Sequence, residues 1–296
     1  MRVLLLIVTN LAVVILASIT LNLLGVGPWL SHAGLDYGSL VITGLVFGFG
    51  GAFFSLAISK WSAKHMMGVQ LITAPRDERE AWLLSTVTRL AAAANIGTPE
   101  VGIFESEAPN AFATGATRNH ALVAVSTGLL VQMGRAEVEA VLGHEITHVA
   151  NGDMVTLTLV QGVVNTFAFV LSRIIGSIII DSALSRGENN ERRGPGIGFW
   201  VGSMVAQVIL TFLGSLVVMW FSRRREFRAD AGGAHLAGRQ SMIAALQALK
   251  RGESGALPQK LEAMGIAGDE RVGGLRRLMM SHPPLNERIE ALRNAT

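Results

Sequence analysis

Four long stretches of the sequence hold mainly apolar side chains and almost no charge: residues 3–26, 39–59, 155–180 and 197–221. An α-helix needs about 20 apolar residues to cross the hydrocarbon core of a bilayer. Each stretch reaches that length, so the pattern predicts four transmembrane helices. The composition agrees, because 50% of the residues are hydrophobic and only 16% are charged, which is too apolar for an ordinary water-soluble protein.

Three of these stretches admit another interpretation. Arg2 precedes the first, as in a secretory signal, but the apolar run is too long for a typical signal core and no small-residue cleavage site follows it. The third contains Arg173, which must reach the interface, pair with another group, or face protein. The alternative for the third and fourth stretches is a buried helical hairpin that does not cross the bilayer fully.

Between and after these stretches the sequence changes to patterns that are typical of a folded α+β unit. Helical spacing of apolar residues marks four segments: residues 77–95, a segment that starts near Arg135, and residues 241–251 and 286–293. Short apolar runs between turn residues predict three strands: residues 100–104, 111–114 and 121–126. Asn151 and Gly152 predict an end or a bend of the second helix. The sequence thus predicts a mainly α-helical membrane protein with a small β-sheet.

The placement of positive charge predicts how the chain crosses the membrane. Residues 27–38 contain no Lys or Arg, whereas Lys60 and Lys64 follow the second apolar stretch directly. A cluster of arginines follows the fourth stretch: Arg223, Arg224, Arg225 and Arg228. Since cytoplasmic loops carry the excess of Lys and Arg, the amino terminus and residues 60–154 and 222–296 are predicted to be cytoplasmic.

The loop of residues 181–196 then lies outside, although it also carries arginines: Arg186, Arg192 and Arg193. The formal net charge of the chain is only +3. Its basic residues stand beside apolar stretches and do not form the broad stripe of a nucleic-acid-binding protein. The sequence therefore predicts that the protein contacts the lipid bilayer, and it predicts no nucleic-acid partner.

The strongest chemical signal is the H-E-x-x-H sequence from His144 to His148, on the helix that starts near Arg135. Histidines four residues apart lie on one face of a helix, so both imidazoles can reach one zinc ion. Glu145 is then placed to take a proton from water, whose pKa zinc lowers to about 7. Because composition alone produces such a match in roughly one chain of a hundred, a third ligand is the decisive test.

The chain has no cysteine, so His, Asp or Glu must complete any metal site. Glu226 and Asp230 follow the fourth apolar stretch, one helical turn apart, and the histidine pair precedes the third. If these two stretches form a helical hairpin, their ends return to the same place and bring Glu226 beside His144 and His148. Asp230 as the ligand is the alternative.

Four motifs support a more specific interpretation. They are Asn110-Ala111-Phe112-Ala113, the H-E-x-x-H sequence, Glu226 to Asp230, and His282-Pro283-Pro284 followed by Arg288. In these motifs and in the order of its apolar stretches, the chain resembles the HtpX family of bacterial heat-shock membrane proteases. This family is related to the CaaX-prenyl proteases among the gluzincins. The resemblance implies a cytoplasmic α+β zincin-type metalloprotease domain with one zinc ion per subunit.

The resemblance also implies roles for individual residues. Glu226 matches the third zinc ligand, and Asp230 matches a carboxylate that supports the first histidine. His282 matches a group that stabilises the oxyanion of the tetrahedral intermediate, and Arg288 is expected to brace the site through Asp230 or Glu226. The simpler alternatives are an ion pair of Asp230 with Arg225 or Arg228, an ordinary loop role for His282, and a solvated helix charge at Arg288.

Asn110, Ala111, Phe112 and Ala113 resemble the edge strand of that family. An exposed sheet edge can pair with the main chain of an extended peptide without reading its side chains. The alternative is a plain core strand.

The predicted division of the chain follows from these assignments. Residues 1–59 form two transmembrane helices, and residues 60–154 form the first part of the protease, with the H-E-x-x-H helix. Residues 155–221 form a transmembrane hairpin, and residues 222–296 form the second part, with the third ligand.

The resemblance implies a multi-pass endopeptidase of the bacterial inner membrane that hydrolyses misfolded or damaged membrane proteins, as part of stress response and envelope quality control. Its expected partners are polypeptide substrates, mainly membrane proteins, with other quality-control proteases acting alongside. Three alternatives compete with it. A non-catalytic zinc-binding scaffold or sensor would not need Glu145, and a transporter would place more ionisable groups inside its spans. A prenyl-protein-processing enzyme would need more spans.

Overall fold

The computed structural model describes residues 36–184, 197–253 and 280–295. The first predicted span, residues 3–26, lies outside this part of the chain. The described residues form two compact units. One unit comprises residues 36–55, 156–184 and 197–218, and the other, the catalytic unit, comprises residues 56–155, 219–253 and 280–295.

Three helices supply the apolar part of the structure. They are α1 (Tyr37–Met66), α5 (Asp153–Leu184) and α6 (Ile197–Ala237). Within the described ranges, these are the helices long and apolar enough to cross a membrane. An apolar face of α6 is exposed at Val201, Val205 and Ile209, which is the pattern of a helix that faces lipid.

Small residues let these helices approach closely. Gly48 of α1 is buried against Thr166 of α5, whose hydroxyl donates to the carbonyl oxygen of Gly44 at 3.2 Å. A Cβ on Gly162 would lie 2.6 Å from the ring of Phe49. Small residues at a helix interface maximise van der Waals contact, which drives helix association in a bilayer.

The catalytic unit contains the remaining elements. In chain order they are β1 (Gln70–Leu71), α2 (Glu78–Ala93), β2 (Glu100–Phe104), β3 (Ala111–Thr114), β4 (Leu122–Ser126), α3 (Thr127–Gln132), α4 (Arg135–Asn151), α7 (Arg239–Glu253) and α8 (Leu285–Asn294). The predicted helices and strands of this unit are confirmed, with limits that differ by one or two residues. The two-residue strand β1 and the short helix α3 had no clear signal in the sequence.

The sheet has the strand order β1-β2-β4-β3. Strands β2 and β4 are parallel, with Gly102 opposite Ala124, and β3 is antiparallel to β4, with Phe112 opposite Ala124. The short strand β1 pairs antiparallel with β2. Strand β3 is therefore at one edge of the described sheet, and α4 packs against it.

Local capping explains where several elements begin and end. Asp77 accepts a hydrogen bond from the backbone N–H of Glu80 at 2.7 Å and so caps α2. The hydroxyl of Ser126 caps α3 by accepting from the N–H of Leu129 at 3.0 Å. Helix α4 ends at Gly152, whose φ of 69° is left-handed. Glycine adopts this conformation without the strain of a Cβ atom, and the chain turns there into α5.

One hydrophobic core fixes the position of α4. Its buried side chains, such as Leu142 and Ile146, pack with Leu90 of α2, Leu246 of α7 and Leu285 of α8. Fully burying each such side chain stabilises the fold by about 1.5–3 kcal/mol. The helix that carries the H-E-x-x-H sequence is thus held from several sides.

The substitution Gly48→Ala tests the helix packing in the apolar unit. A Cβ at this position would meet the side chain of Thr166 and lie 2.7 Å from its backbone nitrogen, and such overpacking typically costs about 1–3 kcal/mol. The melting temperature of the detergent-solubilised protein should fall. Gly50→Ala is the matched control, because no atom lies within 4 Å of a Cβ built there. Equal melting temperatures for the two variants would contradict this packing.

Candidate metal centre

Helix α4 presents two buried imidazoles on one face. His144 and His148 are 1% and 7% exposed, and their Nε2 atoms lie 3.1 Å apart. This pairing follows from the four-residue spacing on a helix whose other side is packed into the core.

Helix α6 brings a carboxylate to the same point. The Oε1 atom of Glu226 lies 3.3 Å from Nε2 of His148, and its Oε2 atom lies 3.4 Å from Nε2 of His144. Glu226 is 1% exposed. One ligand atom from each of these residues lies within 4.8 Å of the others, so the three side chains could hold a metal ion.

Glycines permit the close approach of α6 to α4. A Cβ on Gly232 would collide with the side chain of Thr147, and one on Gly233 would lie 3.0 Å from the backbone nitrogen of His144. Any larger residue at these positions would push the two helices apart. The pattern of apolar and polar residues gave no signal for a close helix contact at these glycines.

Asp230 lies one turn after Glu226 and contacts the other side of the first histidine. Its Oδ1 atom is 2.9 Å from Nδ1 of His144. Nη2 of Arg288 is 3.4 Å from the same nitrogen. The shorter distance indicates that Nδ1–H donates to the carboxylate.

Arg288 is fully buried and holds Asp230 with two hydrogen bonds. Its Nε donates to Oδ2 at 2.8 Å, and its Nη2 donates to Oδ1 at 2.5 Å. Burial alone would lower the pKa of Arg288, but the charge and hydrogen bonds of Asp230 outweigh it and raise the pKa above its usual value. Arg288 is therefore not a solvated helix charge, and the arginine that holds Asp230 is neither Arg225 nor Arg228.

Asp153 holds the second histidine, a contact that the sequence motifs did not predict. Nδ1 of His148 lies 2.7 Å from Oδ2 of Asp153. Arg225 binds the backbone oxygen of Asp153 at 3.2 Å and the hydroxyl of Ser222 at 2.9 Å. The available signal was an acidic residue directly after the turn at Gly152, where the first residue of α5 can point back toward α4.

These contacts fix the tautomer of both imidazoles. When Nδ1–H donates to a carboxylate, the Nε2 atom of a neutral ring is an acceptor. Two Nε2 lone pairs and the Glu226 carboxylate then converge with no proton donor between them. Glu226 Oε2 is also buried without a hydrogen-bond partner. A cluster of N and O acceptors that lacks a donor fits a divalent cation.

The electrostatics favour positive charge at the same point. Burial alone would lower the pKa of His148, but the neighbouring carboxylates of Asp153, Glu226 and Glu145 outweigh it and raise the pKa to about 10. Burial would likewise lower the pKa of His144, and the neighbouring carboxylates of Asp230 and Glu226 raise it instead. The carboxylates around the histidine pair thus stabilise a cation, which a bound metal ion would supply in place of protons.

Glu145 lies beside the histidines and is 4% exposed. Burial raises the pKa of its carboxyl above the usual value, and the charge of Glu226 contributes in the same direction. A carboxylate with a raised pKa is a stronger base, which is the property that general-base catalysis requires near neutral pH.

His282 lies beside Glu226, on the segment that leads into α8. Its Nδ1 atom is 2.8 Å from Glu226 Oε2, without the alignment of a hydrogen bond. The side chain is 19% exposed, so it is accessible at the surface of the site. Arg223 anchors this segment by donating to the backbone oxygen of Met280 at 2.9 Å.

The motif Asn110-Ala111-Phe112-Ala113 lies at the sheet edge next to α4. Ala111, Phe112 and Ala113 belong to the edge strand β3, and Asn110 directly precedes it. Ser126 fixes the start of this strand, because its hydroxyl accepts from the N–H of Asn110 at 2.9 Å. The Oδ1 atom of Asn110 is buried without a hydrogen-bond partner.

Comparison with known proteins identifies the class to which this site belongs. Residues 77–296 match Peptidase family M48, so the chain belongs to this family of metallopeptidases. Because the described residues include three helices long and apolar enough to cross a membrane, and a His/His/Glu cluster that could hold a metal ion, it is a membrane metalloprotease.

The chain is similar to proteases named HtpX along nearly its whole length. Protease HtpX of Nitrosococcus oceani is 56% identical over 294 residues, which cover 99% of this chain and 98% of that protein. The Protease HtpX homolog of Thiobacillus denitrificans is 56% identical, with 99% and 98% covered. Protease HtpX of Stenotrophomonas maltophilia is 54% identical, with 100% and 98% covered. The resemblance predicted from the four motifs is confirmed.

A solved structure shares the fold. The crystal structure of Ste24p from S. mikatae matches with a TM-score of 0.63 at 21% identity, covering 96% of this chain and 67% of that one. This agrees with the predicted mainly helical membrane fold that carries a small sheet.

Asp153→Asn tests the hydrogen bond to the second histidine. An asparagine side chain can still accept a hydrogen bond but carries no charge, and loss of such a supporting carboxylate typically lowers metal affinity about 10–100-fold. The affinity of metal-free protein for zinc would be measured by competition with a chromophoric chelator. Asp77→Asn is the matched control, because Asn also caps helices well. An unchanged zinc affinity in the Asp153 variant would contradict its contribution.

Proposed function

We propose that this protein is a zinc endopeptidase that hydrolyses internal peptide bonds of misfolded or damaged membrane proteins at the cytoplasmic face of a bacterial inner membrane. The observation that carries this proposal is the convergence of His144, His148 and Glu226, with Glu145 as their buried neighbour. The names of the similar proteins support the protease activity.

His144 and His148 would bind the zinc ion through Nε2, and Glu226 through its carboxylate. When bound, zinc polarises the peptide carbonyl and lowers the pKa of water. The donor set supports zinc, because two imidazoles and one carboxylate are a ligand set of catalytic zinc sites and the chain has no thiolate to offer.

Glu145 acts as the general base in this proposal. Its carboxylate takes the proton of the attacking water and passes it to the amine of the leaving peptide. The raised pKa supports both steps, since a carboxyl group with a pKa nearer the working pH can accept and return a proton. A non-catalytic scaffold or sensor would have no use for a base at this position.

His282 stabilises the negative charge that develops on the carbonyl oxygen. It is partly exposed and lies beside the third ligand, at the surface from which a substrate can approach. Asp230 orients His144, and Arg288 keeps Asp230 in place.

Strand β3 holds the substrate. Its unpaired edge offers main-chain donors and acceptors to an extended peptide, next to the helix that carries the histidines. Main-chain pairing depends little on side-chain identity, which suits an enzyme that acts on unfolded segments of many proteins.

Four spans place the catalytic unit on the cytoplasmic side. The support comes from three helices of sufficient length, the apolar residues 3–26, and the basic clusters that follow the second and fourth apolar stretches. Substrates would then be cytoplasmic segments of membrane proteins, with other quality-control proteases acting on the same pool.

Glu145→Gln separates catalysis from metal binding. The variant should keep one zinc ion per chain, because Glu145 is not a ligand, and should lose about 100- to 10,000-fold in kcat with loss of the general base. Zinc content would be measured by elemental analysis, and cleavage with an unfolded soluble chain, with and without chelator. Turnover near the level of the unchanged protein would remove Glu145 from this role.

His282→Phe tests oxyanion stabilisation. The loss of one donor to the oxyanion typically lowers kcat about 100- to 1,000-fold, whereas KM and zinc content should change little. Full kinetics on a peptide substrate would separate the two parameters. A large rise in KM at unchanged kcat would instead assign His282 to substrate binding.

A further inference from the structure

Arg173 is a positive charge inside the apolar unit that the proposed mechanism does not use. It is the only charged residue in the four apolar stretches, which contain no Asp or Glu. Burying an isolated charge in hydrocarbon is costly, and such residues normally pair with a counter-charge. The apolar stretches of this chain cannot supply that counter-charge.

The guanidinium of Arg173 is held at a defined place. Its Cζ atom lies 3.9 Å from the ring centroid of Phe169, one turn earlier in α5. Its Nη1 donates to Oε1 of Gln207 on α6 at 2.7 Å and to the hydroxyl of Ser172 at 2.9 Å. Phe169 in turn stacks on Phe47 of α1 with a centroid distance of 6.1 Å. Residues of three helices therefore fix this group.

The direction of the side chain keeps the charge deep in the apolar layer. Arg173 lies seven residues before the end of the stretch 155–180, which corresponds to about 10 Å along a helix. Contact with Phe169 turns the guanidinium one turn further from that end, to a depth of roughly 15 Å. The side chain therefore does not reach toward the nearer interface, where the phosphate groups of lipids lie.

Among the described residues, the contacts of Arg173 leave its charge unpaired and some of its N–H donors unused. The amide of Gln207, the hydroxyl of Ser172 and the ring of Phe169 are all neutral, and both hydrogen bonds in the described part of the chain use Nη1. A guanidinium has five N–H donors whose planar arrangement matches a carboxylate. The ligand that best fits Arg173 is thus a carboxyl group located within the hydrocarbon core of the bilayer. A second copy of this chain has none in its apolar stretches.

We propose that Arg173, with Phe169 and Gln207, is an intramembrane docking site for a partner transmembrane helix that carries Asp or Glu within its apolar stretch. This inference rests on the proposed function, because it names the substrates. A transmembrane segment exposes an unpaired carboxyl group when the subunit that normally neutralises it is absent. Such helices mark unassembled membrane proteins, and docking would bring their loops to the enzyme.

Binding of model helices tests this site independently of proteolysis. Three synthetic transmembrane peptides would differ only in a central Glu, Gln or Leu, in vesicles of neutral phosphatidylcholine. Energy transfer to a dye on Ser39→Cys reports binding, because the chain has no other cysteine. The Glu peptide should bind about three- to twentyfold more tightly than the Leu peptide, the range of intramembrane polar contacts.

Two variants show whether Arg173 is responsible. Arg173→Leu should bind all three peptides alike, while still cleaving an unfolded soluble chain at the normal rate, which shows that it is folded. Gln161→Leu is the matched control. It removes another polar side chain of α5, one that donates to Oδ1 of Asn165 at 2.8 Å, and should keep the preference for Glu.

Equal binding of the Glu and Leu peptides by the unchanged protein would overturn the docking site, as would a Glu preference that survives in Arg173→Leu. Binding of phosphatidylglycerol that depends on Arg173, without a peptide preference, would assign the site to lipid phosphate and also overturn it. The unchanged protein could also prefer the Glu peptide and yet cleave no unfolded soluble chain. That result would support the docking site and contradict the proposed protease function.

Discussion

The Nδ1 nitrogens of His144 and His148 each donate to a buried carboxylate, Asp230 in one case and Asp153 in the other. These two hydrogen bonds direct both Nε2 lone pairs toward Glu226. Three acceptors at such short range repel one another unless a cation lies between them, so the geometry of the catalytic unit is that of a metal site. Its close helix approach at Gly232 and Gly233, its buried ion pair and its core packing all serve to hold this arrangement.

The ion pair of Arg288 with Asp230 shows why such a site needs so much support. Removing two charges from water costs several kcal/mol per ion, and only near-ideal geometry with additional hydrogen bonds offsets that cost. Here the guanidinium binds both oxygens of the carboxylate, and the carboxylate also accepts from His144. Loss of one partner would leave an unpaired buried charge. The pair therefore contributes more to the orientation of His144 than to net stability.

Much of this arrangement was predictable from the sequence, because its signals are local. The spacing of His144 and His148 defines one helix face, and the short apolar runs give the strands. Other features depend on contacts between residues that are distant in sequence or on backbone conformation. Asp153 reaches His148 only because Gly152 is left-handed. The burial of Arg288 depends on a partner 58 residues away, and the inward direction of Arg173 depends on Phe169. The spacing of apolar residues along the chain does not predict any of these three contacts.

The three residues that could hold a metal ion are separated in the sequence by two apolar stretches: the histidine pair precedes residues 155–180, and Glu226 follows residues 197–221. During synthesis, the histidine pair leaves the ribosome well before Glu226, and the chain between them contains both of these apolar stretches. His282 and Arg288 follow later still. A nascent chain that ends before Glu226 consequently lacks one of the three residues of the metal-binding cluster. The complete cluster can therefore form only after both apolar stretches have been synthesised.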